Sequence, residues 1–306
     1  MRISKIPLLT VITITTLFCF SLSAHAGSTD IMKQLARIAE DIDFTKGQIS
    51  TSGSFISSDS DSDGDTSVSQ QTYDISADFR YLDFNYTHNA FDWKNTERLN
   101  FGNDRTTDPW DELHSLSVGA RIPLQHNEQW SSLFMFDVSA NYEDEIGADA
   151  LEYGMGALAA YQYSENLKLQ FGALVSIDPI NVNFMPGLGL KYTYNEWEMA
   201  LGIPETGVRY TMNDQWAFGT SFNSQSTLYN LSNDSSVISD GFAQVESSSL
   251  SLYADWTPTE SITISAGPEY YFDRTMRIYD RDGNKKWNEE KTDNAFGGSI
   301  NFTYAF

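Results

Sequence analysis

The chain carries a single cysteine, Cys19. Everything after it is free of thiols, which excludes disulfides and thiolate metal sites from the rest of the protein. Positive charge is also scarce: 19 Lys and Arg face 42 Asp and Glu, for a formal net charge of −23. Nucleic-acid binding is thereby excluded, because affinity for phosphate rests on clustered Lys and Arg. Long apolar runs are missing too. Beyond residue 26 no segment approaches the roughly 20 apolar residues that a membrane-spanning helix requires, yet aromatic residues make up 14% of the chain.

Residues 1–26 read as a cleaved signal peptide. Arg2 and Lys5 form its positive start, an apolar stretch runs from Pro7 to Ser23, and Ala24-His25-Ala26 has the small-x-small form of a cleavage site. Phe18 before Cys19 is too large for a lipoprotein signal. Residues 27–46 then hold a short amphipathic helix over 28–44, with Ile31, Leu35, Ile38 and Ile42 on one face. It could act as a plug or periplasmic lever, or merely pack at a rim.

The dominant pattern of the remaining chain has period two. Phe296, Ile300, Phe302, Tyr304 and Phe306 alternate with Gly297, Ser299, Asn301, Thr303 and Ala305, so one face of this strand is apolar and the other small or polar. The same alternation runs through Leu116 to Leu124, Phe134 to Tyr142, Tyr153 to Tyr163, Leu167 to Ile177 and Phe184 to Tyr194, and recurs to the end. A membrane protein that has such strands and no membrane-spanning helix must close into a barrel, because only closure satisfies every backbone group in lipid. The expected fold is all-β, a closed antiparallel transmembrane β-barrel over residues 47–306. Parity switches between Phe79 and Leu82. A bulge near Arg80 would give about 12 strands; a tight turn there, with a first strand over 48–56, would give about 14.

Short connections at 125–129, 164–166, 195–196, 213–215 and 257–260 alternate with long ones at 223–246 and 273–293. Counting back from Phe306 puts every short one at the end expected to face the periplasm. Trp130, Tyr161, Tyr163, Tyr192, Tyr194, Trp197, Trp216 and Trp256 gather there as an interfacial girdle. Parity also predicts that Leu190→Arg or Phe136→Arg costs more than Ser139→Arg.

The stretch from Trp110 to Arg121, Asn127-Glu-Gln-Trp130, Leu201-Gly-Ile-Pro-Glu-Thr-Gly207 and Asn213-Asp-Gln-Trp216 resembles a family of proteobacterial outer-membrane β-barrel proteins, a porin-like domain of unknown function. The closing strand likewise resembles the C-terminal strands that the bacterial barrel-assembly machinery reads. These resemblances imply a bacterial outer-membrane location, with membrane lipid, lipopolysaccharide and, through the strand ending in Phe306, the assembly machinery as partners. They transfer no catalytic residues.

Candidate sites lie on the polar face. Arg121, Asp137, Glu152, Lys168, Lys191, Glu198, Arg209, Asp255 and Glu269 share it with many glycines. Such charges are costly in lipid and must line the lumen. They could tune a water-filled path for small solutes or pair into a network that closes it. Asp59, Asp61, Asp63 and Asp65 around Gly64 resemble the first half of a calcium loop. Gln70 replaces its bidentate glutamate, so the loop is either a weak cation site or a solvated acidic loop. Together with the run Glu143-Asp144-Glu145 it motivates a second role, a closed barrel displaying acidic loops to cations or other partners. No resident cofactor is expected. Enzymatic activity is not expected either: Ser115 and Ser117 fall out of phase with His114, and His88 and His126 are placed in or beside connections.

Overall fold

The computed structural model describes residues 47–58, 66–102, 107–202 and 206–306. The signal peptide, the helix expected over 28–44 and the Asp59–Asp65 loop lie outside the described residues. The strands are β1 (Gly47–Ile56), β2 (Ser67–Phe79), β3 (Leu82–Lys94), β4 (Glu112–Gln125), β5 (Trp130–Tyr142), β6 (Leu151–Ser164), β7 (Leu167–Ile177), β8 (Val182–Tyr194), β9 (Trp197–Gly202), β10 (Thr206–Thr211), β11 (Trp216–Asn230), β12 (Phe242–Thr259), β13 (Ile262–Tyr279), β14 (Glu290–Lys291) and β15 (Ala295–Ala305). Each wall strand pairs antiparallel with its neighbour in the chain, and β15 pairs with both β13 and β1. The result is a closed barrel of 14 strands, with the two-residue β14 leaning on the top of β13.

Two-residue turns set the register. Arg80 and Asn195 take positive φ, 54° and 53°, the left-handed conformation whose twist suits a tight hairpin. The first of these joins Phe79 to Leu82 as direct partners, which is why the parity switches there and why the wall has 14 strands. Closure is clasped at the seam: Gly47 N–H donates to Phe306 O at 3.0 Å and Phe306 N–H to Gly47 O at 2.9 Å. A side chain at Gly47 would lie 2.7 Å from the Phe306 ring, so glycine makes room for the terminal aromatic.

The apolar parity faces outward around the wall. Ile75, Phe84, Val118, Phe136, Met155, Leu188, Leu252 and Ile300 are all exposed. At the end carrying Gly47 and Phe306, Trp130 meets Tyr161 at 4.8 Å, Trp197 meets Tyr210 at 4.8 Å and Trp216 stacks on Trp256, so aromatic pairs recur along that rim.

At the opposite, distal end the wall is uneven. β9 and β10 have six residues each, whereas β12 and β13 have 18. The long connections expected at 223–246 and 273–293 are in part strand: β11 runs on to Asn230, β12 starts at Phe242 and β13 runs on to Tyr279. Their continuation is invisible to an apolar periodicity because the outward residues turn polar there. Arg277 pairs with Glu246 at 2.5 Å and Glu289 at 3.1 Å, and Tyr279 donates to Gln244. A bulge at Asp273, with φ 51°, and a register shift between Glu246 and Ser248 accompany the change. The tip of β11 reaches across the β6–β10 sector to β5, pairing Asn230 with Tyr142.

Candidate functional site

The inner wall over β1–β4 is a network of paired charges. Arg121 on β4 holds Asp83 of β3 at 2.9 Å and also pairs with Asp78 of β2, while Gln48 of β1 donates to Asp78 at 2.9 Å. Gly119 opposite Asp83 leaves the space this carboxylate fills; a Cβ would stand 2.5 Å from it. Asp74 accepts from Ser52 and Thr87. Arg121, Asp83 and Asp78 are all buried, so each charge depends on its partner: removing one member of a buried pair costs about 3–5 kcal/mol.

The remaining expected lumen charges also face inward. Lys191 of β8 pairs with Glu198 of β9 at 3.1 Å, and Arg209 of β10 reaches over β11 to Asp255 of β12 at 3.0 Å. Glu152 accepts from Asn141, which itself accepts from Ser115 at 2.6 Å. Glu269 accepts from Ser299 at 2.7 Å and from the Tyr271 hydroxyl. Asp137 is buried on β5 and Lys168 half-buried on β7. Arg121, Lys191, Glu198, Arg209 and Asp255 are thus held in ion pairs with strands one or two places away, while Glu152 and Glu269 are held by neutral donors.

Two features of the interior were not legible in the pattern. The first is an apolar inner patch over β5–β7. Leu133, Met135, Leu158 and Leu174 are buried on the face otherwise given to charges and glycines, and Met135 lies directly opposite Gly156. A side chain at Gly156 would collide with Leu174, so the glycine provides the floor for these larger residues.

The second is an apolar core across the distal mouth. Val68, Trp93, Leu113, Tyr229, Ala243, Met276 and Ile278 point inward from β2, β3, β4, β11, β12 and β13. Leu99, Phe101 and Trp110 from the 95–111 connection and Leu231 and Val237 from the 231–241 connection pack among them. Phe101 stacks on Trp110 with ring planes 3° apart, and Trp110 meets Trp93 edge-on at 5.4 Å. Trp93 Nε1 donates to the Trp110 carbonyl at 2.9 Å. Asn100 N–H donates to Glu290 at 2.9 Å, and Ser236 donates to the Asp108 and Pro109 carbonyls. The rim is tied across as well: Glu143 N–H donates to Asn230 O, and Ser232 N–H donates back to the Glu143 carboxylate at 2.9 Å. Burial behind this strap raises the Glu143 pKa above the ordinary carboxylate value.

The histidines require one correction. His88 lies within β3, on the outward face, and not in or beside a connection. It is the register partner of His114, whereas Ser115 and Ser117 point inward and are buried. His126 does sit in a connection, with Nε2 2.8 Å from Ser132 Oγ. Among the described residues no carboxylate is paired with its ring.

A family model described as Domain of unknown function (DUF6268) matches residues 48–306. No curated protein matches the chain. Among solved structures, the NanC porin is 11% identical, with 84% of this chain and 98% of that chain covered and a TM-score of 0.36. The translocator domain of the autotransporter NalP from Neisseria meningitidis is 11% identical, with coverage of 97% and 99% and a TM-score of 0.38. A Pseudomonas aeruginosa FadL homologue is 12% identical, with coverage of 85% and 90% and a TM-score of 0.39. These similarities carry no argument about cargo or mechanism.

Proposed function

The chain belongs to the DUF6268 family, and for this member we propose an outer-membrane barrel whose outward mouth is shut by an apolar core. In this role it displays acidic loops at the cell surface and does not act as a free-diffusion pore. The observation that carries the proposal is the cluster of Trp93, Phe101, Trp110, Leu113, Tyr229 and Ile278 across the distal mouth. Ions and polar solutes lose hydration in crossing a dry apolar layer and gain nothing in exchange.

Membrane residence is supported by the exposed apolar face, which is far larger than the patches soluble proteins tolerate. In this arrangement the 1–26 signal directs export, the strand ending in Phe306 is offered to the barrel-assembly machinery, and the apolar face meets lipid and lipopolysaccharide. The end carrying Phe306 faces the periplasm, since periplasmic turns are the short ones. No catalytic step and no resident cofactor enter the proposed role. Asp59, Asp61, Asp63 and Asp65 would add weak cation binding at the surface.

The paired but charged inner wall favours a second reading, passive passage of small solutes once the mouth opens. Planar-bilayer recordings separate the two. The unaltered barrel is expected to be silent, and steady conductance from it would overturn the closed-mouth proposal. A variant with residues 99–110 replaced by a short Gly-Ser linker conducts if the lumen is a gated path and stays silent if the barrel is closed throughout.

A further inference from the structure

Two histidines and a glutamate meet on the outward face of β3 and β4, at the distal edge of the apolar belt. The role proposed above makes no use of them. His88 and His114 are direct register partners, and Glu112 precedes His114 by one alternation of the strand, so all three point the same way. His88 Nδ1 lies 3.7 Å from one Glu112 carboxylate oxygen and His114 Nε2 lies 3.6 Å from the other. One donor atom from each residue falls within 4.8 Å of the others.

We propose that His88, Glu112 and His114 form a binding site for a borderline divalent metal ion, with Zn2+ as the representative. Three donors of this kind suit zinc, whose bonds to imidazole nitrogen and carboxylate oxygen are about 2.0–2.2 Å. Tetrahedral donors at those lengths stand about 3.3–3.6 Å apart, so donors that lie within 4.8 Å of one another close on the ion by side-chain rotations of about 1 Å or less.

The surroundings orient the ligands. The Tyr86 hydroxyl lies 2.9 Å from His114 Nδ1, which leaves Nε2 for the metal, the usual outer-shell arrangement for a ligating histidine. Tyr142 stacks on the His114 ring at 5.2 Å, and Tyr73 stacks on His88 at 6.2 Å. Both imidazoles are thereby held in place before any ion arrives. Asp92, Asp108 and Asp111 lie near one another at the same rim and raise the local cation concentration.

The test uses the full-length barrel folded in detergent, with ZnCl2 titrated in by calorimetry. One ion per chain is expected, with affinity falling about tenfold or more in His88→Gln and in His114→Gln, and about tenfold in Tyr86→Phe through loss of the orienting contact. X-ray absorption at the zinc edge of the unaltered complex keeps the question open to refutation if a variant fails to fold. Two imidazole nitrogens in the shell support the site; an all-oxygen shell overturns it. The proposal also fails if no stoichiometric binding occurs, or if Asp61→Asn and Asp63→Asn abolish binding while the histidine variants retain it.

Discussion

Trp110 provides a sharp test of the mouth core, because two substitutions there separate packing from polarity. Its side chain is 2% exposed, stacked on Phe101 and edge-on to Trp93. Its indole N–H has no hydrogen-bond partner among the described residues. Truncating a buried tryptophan to alanine removes its contacts and leaves a cavity, at a cost of about 3–5 kcal/mol. The same change removes a buried unsatisfied donor that costs about 1–3 kcal/mol, so Trp110→Ala should lose about 2 kcal/mol net. Trp110→Phe keeps a ring against Phe101 and also removes the donor, so the smaller loss of packing is offset and the net cost should be about 1 kcal/mol or less. Urea unfolding of the detergent-folded barrel measures both, and limited proteolysis over 95–111 reports whether the connection has undocked. If alanine proves as benign as phenylalanine, residue 110 is not part of a packed core and the mouth is not sealed as described.

Two further outcomes follow from the wall and the rim. Phe136→Arg puts a charge on the exposed belt and should cost about 2–4 kcal/mol near the bilayer midplane, while Asn223→Arg, on the inner face at an exposed position, should be milder in the same unfolding assay; equal costs would refute the assigned faces. Glu143 carries a raised pKa because burial disfavours its charged form, so its stabilising contribution is present below the unfolded-state value and is lost as pH rises through the folded-state value. Glu143→Gln, which keeps an acceptor for Ser232, should therefore be more stable than wild type at pH 8, with the gap closing toward pH 4; a gap that does not change with pH would refute the assignment.

Much of the barrel was legible because strand alternation is local. Phe134, Phe136 and Val138 point to lipid, and Asp137 between them points inward, for no reason beyond the pleat. The same local rule misleads where burial adds a second condition. Ser139 is on the inner face, as parity requires, but is 1% exposed, so arginine there would be overpacked and Asn223 is the better comparison. It also fails above the belt. Gln244, Glu246 and Arg277 remain in strands, but water replaces lipid outside them and the apolar signal vanishes.

The candidate sites divide in the same way. Lys191 with Glu198 and Arg209 with Asp255 come from strands close in the chain, and their inward placement followed from alternation. The partners of Arg121 were not readable, because Asp78 and Asp83 flank the turn at Arg80 whose geometry decides which face each occupies. His88, Glu112 and His114 meet because the 95–111 connection brings β4 back beside β3 in one particular register; a shift of one residue would turn the histidines to opposite faces.

From its own period and composition, then, this chain determined a closed barrel, the side of each strand that meets lipid and the seam at Phe306. Those properties depend on neighbours one or two residues away and on the demand that every backbone group in lipid be paired. Tertiary structure alone decided that the distal mouth is filled. That core joins Val68, Trp110, Tyr229 and Ile278 from segments distant in sequence, and nothing within any one of those segments specifies the others.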